Sequence, residues 1–501
     1  MANSIIIISI VNLLNQILGF LRDTLVTYYY GASSISDAYI VAVIIPSVII
    51  GVIASGLSAV FVPECIKYES NRSQDEKKYT ILMCISSLFV GLLGALTIWC
   101  FKDLVLSIFA RGFDAPTREM AGDFIVITVF SMPLILINNI MSGYFQVVGK
   151  QLISSVVIIP SNILGIVIVY FSYQFGNIYL LPLCYLATMI LTFTLNFLLS
   201  NIYKVRNIKL RIFEIKDYTS STYKLALPVM LGVSANQINF VIDRSLATTV
   251  YEGAVSLVNI SVRVSSIIEV ILVTSIMLVY YPILSRMKNN KIKQRFCILE
   301  LLFILFIAII PTASIFHFYS HNIIDFLFGR GKFSSDDVLV SSQLLSVYAL
   351  SIPFVYMKIL FSKWMYSQGE TKIPTIVSLV GIAINIIFNF LLVDSVGLIG
   401  LAISTLISNL ITTILSIYIM AQRGVFSKDY ISLSFTFLPL FCFILIGYYI
   451  NSIYQESSFI FLLEIGFGLS IYMTLMFLLV RKLCKIKGFY NEFHLLNKSF
   501  L

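Results

Sequence analysis

The sequence predicts an all-α membrane protein of about fourteen transmembrane helices. Two parallel six-helix repeats form N- and C-lobes around a central cavity, and two extra helices follow at the C-terminal end. Three observations carry this. Of 501 residues, 58% are hydrophobic and 12% charged, with a mean hydropathy of +0.94, whereas about a quarter of the residues in a soluble domain are charged. The apolar runs reach a length of about 20 residues, which suits helices spanning a bilayer, and do not alternate apolar with polar as barrel strands do. Short motifs of the first half also recur in the second, in order.

Taken along the chain, apolar windows mark spans at roughly 4–29, 37–63, 79–101, 119–147, 151–173, 176–200, 223–249, 253–284, 295–317, 337–366, 372–393, 397–420, 431–453 and 457–480. The first run lacks a basic leader and passes straight into Asn12, Asn15, Gln16 and Arg22, so it reads as a retained helix. Alternate loops carry the basic residues, among them Arg72, Lys77, Arg206, Lys209, Lys291, Arg295 and Arg423, and the tail adds Arg481 and Lys482. Lys and Arg in short loops mark the cytoplasmic side, so both termini are expected in the cytoplasm. Two remaining loops, 102–118 and 318–336, each read as a short amphipathic helix followed by a turn.

Those loops expose the repeat. Asn15-Gln16-Ile17 returns as Asn236-Gln237-Ile238, Arg111-Gly112 as Arg330-Gly331, Ser131 and Pro133 as Ser351 and Pro353, Gly149 as Gly369 and Gly176 as Gly397, all shifted by 219 to 221 residues. Six spans separate each pair, so the halves share one orientation. The expected organisation is an N-lobe over 1–201, a basic linker over 202–222, a C-lobe over 223–421, and two further spans with a basic tail over 422–501. Parallel repeats of this kind place a substrate between the halves and let access alternate between sides. The last two spans hold Glu464 and are read either as a lipid-facing appendage or as a groove for a long lipid tail.

No enzyme signature is present. His317 and His321 have helical spacing but no intervening acid, which makes them interfacial residues before metal ligands. There is no P-loop pattern, and the seven cysteines are scattered without paired spacing. The net charge of +9 is spread over loops, and nucleic acid is not an expected partner. No cofactor is expected.

Charges inside the spans are more informative, because one charged side chain near the bilayer centre costs about 2.5–3.5 kcal/mol and such residues mark substrate or ion paths. The first lobe holds Arg22, Asp23, Asp37 and Asp123; the second holds Asp243, Arg244, Arg263, Glu269, Lys358 and Lys363. Arg22 and Arg263, one per lobe, would form an anion site if both face inward, since guanidinium forks match phosphate oxygens. The alternative for Arg22 is an ion pair with Asp23, although adjacent residues do not share a helix face. Asp37 is either an N-cap of its own span or a gating residue. Lys358 and Lys363 read as snorkelling side chains.

Segments spread over nearly the whole chain resemble the MurJ/MviN family of lipid II flippases, a branch of the multidrug and polysaccharide exporters. They are LGFLRDTLVTYYYGASSISDAYIVAVIIP with FVPECIKYE, INFVIDRSLATTVYEGAVSLVNISVRV with YYPILSR, FGRGKFSSDD, and YSQGETKIPTIVSLVGIAINIIFNFLLV. The resemblance implies a two-lobed bundle whose cavity arginines engage the pyrophosphate of an undecaprenyl-linked saccharide. Arg22 and Arg263 match two of those arginines, and Asp37 matches a functional aspartate; Asp23 joins them as a cavity charge. The chain departs from the family pattern where Gln16 and Ile50 stand for arginines and Ser55 for a glutamate. Those departures thin the cationic cavity and keep an O-antigen or capsule repeat unit open as substrate. Asp243, Asn385, Asn389 and Thr405 match a sodium site found in some members, with Asn389 replacing an aspartate; their oxygens suit a hard cation, and bonding between helices is the other reading. Expected partners are the lipid-linked saccharide, membrane lipids and glycan or cell-wall synthesis enzymes, in a bacterial inner membrane. A cation-coupled multidrug antiporter and a non-transporting scaffold are the competing functions.

Overall fold

The computed structural model describes residues 2–69, 75–200, 214–287 and 290–425. The spans expected at 431–453 and 457–480, with Glu464 and the basic tail, lie outside the described residues. Among the described residues all regular structure is helical. The first repeat comprises α1 (Ala2–Tyr30), α2 (Ser34–Glu69), α3 (Asp75–Cys100), the short α4 (Lys102–Phe109), α5 (Ala115–Thr128), α6 (Ser131–Val147), α7 (Gln151–Val156), α8 (Ile158–Gln174) and α9 (Leu180–Ser200).

The second repeat follows the same order. It comprises α10 (Glu214–Ala247), α11 (Ala254–Ile268), α12 (Ser275–Arg286), α13 (Lys291–Ile304), α14 (Ile310–Phe318), the short α15 (Ser320–Phe328), α16 (Ser335–Ser367), α17 (Lys372–Val396) and α18 (Ile399–Gln422). The short helices α4 and α15 fall in the two loops where amphipathic helices were expected. Corresponding helices even end alike. Gly149 and Gly369 lie at φ +68° and +84°, and each is followed by an N–H that bonds back five residues, Lys150 to Phe145 at 2.8 Å and Glu370 to Met365 at 3.1 Å. This is a helix stop that only a residue without a Cβ enters cheaply.

The repeats differ where single spans break. The expected span 119–147 is two helices, α5 and α6, bent by 43°. The expected span 253–284 is α11 and α12 joined by a π-helical stretch over Glu269–Thr274, and a second π stretch, Leu305–Ile309, joins α13 to α14. By length and composition, eight of the described helices can cross a membrane, or nine if the bent pair counts as one. Large apolar side chains such as Leu93, Trp99, Leu391 and Ile414 are exposed, as expected of surfaces that meet lipid.

The helices gather into two compact units that cut across the lobes expected from chain order. The first holds the chain to Arg263 together with Leu327–Val340 and Asn385–Leu401; the second holds Val264–Phe326, Ser341–Ile384 and the chain from Ala402. The lobes divide the chain by span number, whereas compactness follows packing, and α10 packs along α2 and α3 of the first repeat. The expected linker is also shorter at its far end, since α10 already begins at Glu214. Tyr79, buried on α3, shares a 2.7 Å hydrogen bond with Thr222 there.

Each unit has its own core. Phe61, Tyr79, Phe124, Phe145 and Ile45 are fully buried in the first. In the second, Tyr356, Phe361 and Trp364 of α16 pack against Leu301, Ile309 and Met277, and the Tyr356 hydroxyl donates to the Leu301 carbonyl at 2.8 Å.

Candidate anion site

The site lies within the first unit and is built on two helix faces. On α11, Ser256, Asn259, Ile260 and Arg263 follow at i, i+3, i+4 and i+7, and on α1, Phe20, Asp23 and Thr27 follow at i, i+3 and i+7; both rows line one cavity. Helix α2 adds Ser36, Tyr39 and Ile40, and Phe328 closes one edge by an edge-to-face contact with Phe20 at 5.5 Å. The cavity measures about 40 Å³, far below the usual range of small-molecule sites, roughly 300–1,000 Å³, and has room for ordered water.

Arg22 and Arg263 meet on one carboxylate. Arg22 gives Asp23 Oδ1 two hydrogen bonds, from Nε at 3.2 Å and from an Nη at 3.0 Å, while Arg263 Nε lies 3.4 Å from Asp23 Oδ2. Two guanidiniums against one carboxylate leave one net positive charge. Adjacent positions on a helix diverge by about 100°, so the Arg22–Asp23 bond forms only because the long arginine side chain folds back. Arg22 therefore pairs with its neighbour despite the separate faces expected for adjacent residues.

The two arginines are not equivalent. Arg22 is 19% exposed and does not line the cavity. It is packed against α8 and α9, where a Cβ on Gly165 would stand 3.1 Å from its Cδ and 3.2 Å from Thr188. Arg263 is 41% exposed and faces the cavity. It lies over Gly19, whose absent Cβ would meet its guanidinium at 3.1 Å.

Beyond the cavity, Asp37 caps another helix. It is 1% exposed, and it accepts the Gly253 N–H at 2.9 Å and the Val255 N–H at 3.4 Å on Oδ2, with the Ser256 N–H at 2.7 Å and hydroxyl at 2.6 Å on Oδ1. These are the orphan donors at the start of α11, where the helix dipole also favours negative charge. Asp37 is thus an N-terminal cap of α11, and the expectation that it caps its own span is corrected. Glu252, just before α11, returns the contact by accepting the Ser34 N–H of α2 at 3.0 Å. Gly253, at φ +87°, allows the approach, because a Cβ there would stand 2.6 Å from the Ala32 carbonyl oxygen.

Other expected site residues fall elsewhere. Gln16 continues the cavity face of α1 one turn before Phe20 and is half-buried, but the lining stops at Phe20. Ser55 is sixteen residues beyond Tyr39 on α2, about 24 Å along the axis, and its hydroxyl bonds back to the Val52 carbonyl at 2.8 Å. Ile50 is 0% exposed; its side chain belongs to the core, so the missing arginine there removes nothing from this cavity.

In the expected sodium set, the Asn389 amide nitrogen donates to Asp243 Oδ1 at 2.6 Å and to Asn385 Oδ1 at 2.9 Å. An ionised carboxylate only accepts, so the nitrogen of Asn389 must face it. That donor stands between the two oxygens a cation would need, so sodium would require the Asn389 amide to turn over and present its oxygen. Thr405 lies on α18, in the second unit. Also in that unit, Lys358 does not snorkel: its Nζ donates to Asn409 Oδ1 at 3.0 Å, and Glu269 is its electrostatic neighbour. Lys363 lies over the Tyr281 ring at 4.9 Å. Sequence reasoning missed Asn409, Tyr39 and Asn259. The i, i+3, i+7 spacing of Ser256, Asn259 and Arg263 was the available signal for the last.

A duplicated six-helix bundle with charges held inside its spans defines a multi-pass membrane transporter. The family model for lipid II flippase MurJ matches residues 26–468, and the chain belongs to that family, one of transporters and not of enzymes. A probable lipid II flippase MurJ from Aquifex aeolicus is 28% identical over 408 residues, covering 79% of each chain. The corresponding protein of Helicobacter pylori strain 26695 is 27% identical, over 77% of this chain and 88% of its own. Among solved structures, lipid II flippase MurJ in an inward closed conformation matches with a TM-score of 0.81 over 96% of this chain and 100% of that one, at 23% identity. An inward-facing multidrug resistance MATE family transporter matches with a TM-score of 0.68 over 81% and 94%, at 15% identity. Both structural likenesses are likenesses of fold.

Proposed function

We propose that the protein moves an undecaprenyl-diphosphate-linked saccharide, lipid II or a related glycan unit, from the cytoplasmic to the outer leaflet of a bacterial inner membrane. The observation that carries this is the shared grip of Arg22 and Arg263 on the two oxygens of Asp23. A carboxylate held by two guanidiniums stands in for a phosphate, and a diphosphate, with more charge and more acceptors, competes for the same donors. Arg263 and Asp23 line the cavity and meet the ligand first; Arg22 is reached once Asp23 turns aside. The duplicated bundle supports alternating access by rocking of one repeat against the other, with the Asp37–α11 cap as the closure that each cycle breaks and remakes. A site of net positive charge favours this reading over export of cationic drugs.

Sodium would bind at Asp243 and Asn385 only after the Asn389 amide turns its nitrogen away. Glycan or cell-wall synthesis enzymes would deliver and remove the substrate. The test is a proteoliposome flipping assay with fluorescent lipid II. Wild-type protein should move it across the bilayer, while Arg263→Ala should fall at least 10-fold and Arg263→Lys, which keeps the charge but loses the fork, should recover only part. Unchanged transport by Arg263→Ala refutes the proposal.

A further inference from the structure

The two Arg-Gly turns that exposed the duplication take no part in the anion site. Each follows a short helix of its own repeat, α4 or α15, at the end of the bundle expected to face outward, and each is seated on the other repeat. Gly112 of the first repeat lies on the end of α10. Its N–H donates to Thr248 Oγ1 at 3.1 Å, and just before it the Ile108 carbonyl accepts the Ser245 hydroxyl at 2.6 Å. A Cβ on Gly112 would collide with the Thr248 carbonyl. Gly331 of the second repeat lies on the end of α1 in the same manner. A Cβ there would collide with the Tyr28 carbonyl, and the next N–H, that of Lys332, donates to this carbonyl at 2.9 Å, satisfying an acceptor that a helix end leaves open. Gly31 completes the fit, since its own Cβ would stand 2.7 Å from the Lys332 carbonyl oxygen.

Tyr28 and Thr248 are one repeat length apart, as are Gly112 and Gly331. The arrangement is therefore reciprocal, with the turn of each repeat held by the first helix of the other. Its place along the chain ties it to the Asp37 cap. Residues 28–37 receive, in order, the Gly331 turn, Gly253, Glu252 and the start of α11, while residues 245–256 receive the Gly112 turn, Ser34 and Asp37. Both turns and the cap thus bear on the same two connecting stretches, and moving either stretch disturbs all three. The hydrogen bonds of the turns are few and join neutral groups, so they part without the cost of unpairing a charge.

We propose that the two Arg-Gly turns are reciprocal latches, which hold the outward end of the bundle closed and open together when the repeats rock. The assignment rests on the alternating-access reading above and adds to it a pair of contacts, remote from the anion site, that part in each cycle.

The test is hydrogen–deuterium exchange of the full chain in lipid nanodiscs, read by mass spectrometry at the Gly112 and Lys332 amides, which donate across the repeats. Thr248→Val removes the acceptor of the Gly112 N–H and keeps the shape of the side chain; unchanged exchange in α16 serves as its folding control. It should speed exchange at Gly112 by about 2- to 10-fold, the range for one neutral hydrogen bond, and at Lys332 by a comparable factor, although Lys332 is bonded to Tyr28 on a different helix. Gly331→Ala, which pushes the other turn off Tyr28, should release Lys332 and Gly112 together. Faster exchange confined to the altered turn, or found at neither, makes the turns independent braces and overturns the latch. Flipping of fluorescent lipid II is measured on the same proteins in proteoliposomes. If the wild type moves lipid II while the turns respond separately, the latch fails and the transport reading stands. If the turns respond together and no lipid II moves, the transport reading fails and the latch stands as a closure between the repeats.

Discussion

Asp37 and Ser256 stand 219 positions apart in the chain and are joined by two hydrogen bonds, the Ser256 N–H and hydroxyl both donating to Asp37 Oδ1 at 2.7 and 2.6 Å. That separation is nearly the repeat length, so the two residues occupy corresponding ends of the second helix in each repeat. The exchange is reciprocal, since Glu252 accepts from Ser34 in turn. Each acid faces the positive end of the other repeat's helix, a reciprocal closure of the two helix ends on each other.

Asp37→Ala should loosen that closure. Removing the carboxylate leaves several buried donors unmatched, at a cost on the order of 3 kcal/mol, since each hydrogen bond to a charged group contributes about 1.5–3 kcal/mol. An Ile260→Cys reporter in the cavity should then react faster with a membrane-impermeant thiol reagent applied from outside the cell, read by mass spectrometry at position 260. Equal labelling with and without Asp37 would show that the cap does not close this end.

Asn389→Asp should create a response to sodium that the parent chain lacks. The substitution replaces the N–H donor between Asp243 and Asn385 by a second carboxylate oxygen, the ligand type a hard cation prefers. Thermal unfolding in sodium against choline chloride measures it. The variant should gain several degrees in sodium and the wild type should gain none.

Asn409→Leu should destabilise the second unit by about 1.5–3 kcal/mol, because it removes the acceptor of a charged amine within the bundle. Asn409→Asp, which keeps an acceptor oxygen, should be much milder. The midpoint of unfolding of the purified protein separates the two.

Glu370 and Arg423 form a two-pronged pair at 2.8 and 2.9 Å between the helix ends of α16 and α18. The Arg423 hydrogen bonds hold the Glu370 carboxyl below its ordinary value. A carboxyl lowered in the folded state contributes stability above its unfolded value, and that contribution disappears as pH falls through the folded value. The wild type should therefore lose its small advantage over Glu370→Gln on acidification, and the two melting curves should converge at low pH and in high salt.

Much of the architecture was legible because hydropathy is a local property, and the recurrence of Asn15-Gln16 and Arg111-Gly112 exposed the duplication. Arg22, Asp23, Asp37 and Arg263 were legible as residues because charge inside a span is conspicuous. Of their partners only the Arg22–Asp23 pair was among the readings of the sequence, because contacts such as Asp37 to Gly253, 216 residues apart, are encoded by no local pattern. The same holds for Ile50. Its replacement of an arginine suggested a weakened cavity, but the position faces the core. Lys358 looked like a snorkelling side chain until Asn409, on another helix, supplied its acceptor.

The most direct measurement of the central claim is an experimental structure of the full chain with undecaprenyl diphosphate bound. The account predicts phosphate oxygens about 2.7–2.9 Å from the guanidinium nitrogens of both Arg22 and Arg263, as in charge-assisted pairs, with the Asp23 carboxylate turned away from both. A diphosphate seated elsewhere, with Arg22 and Arg263 still closed on Asp23, would contradict it.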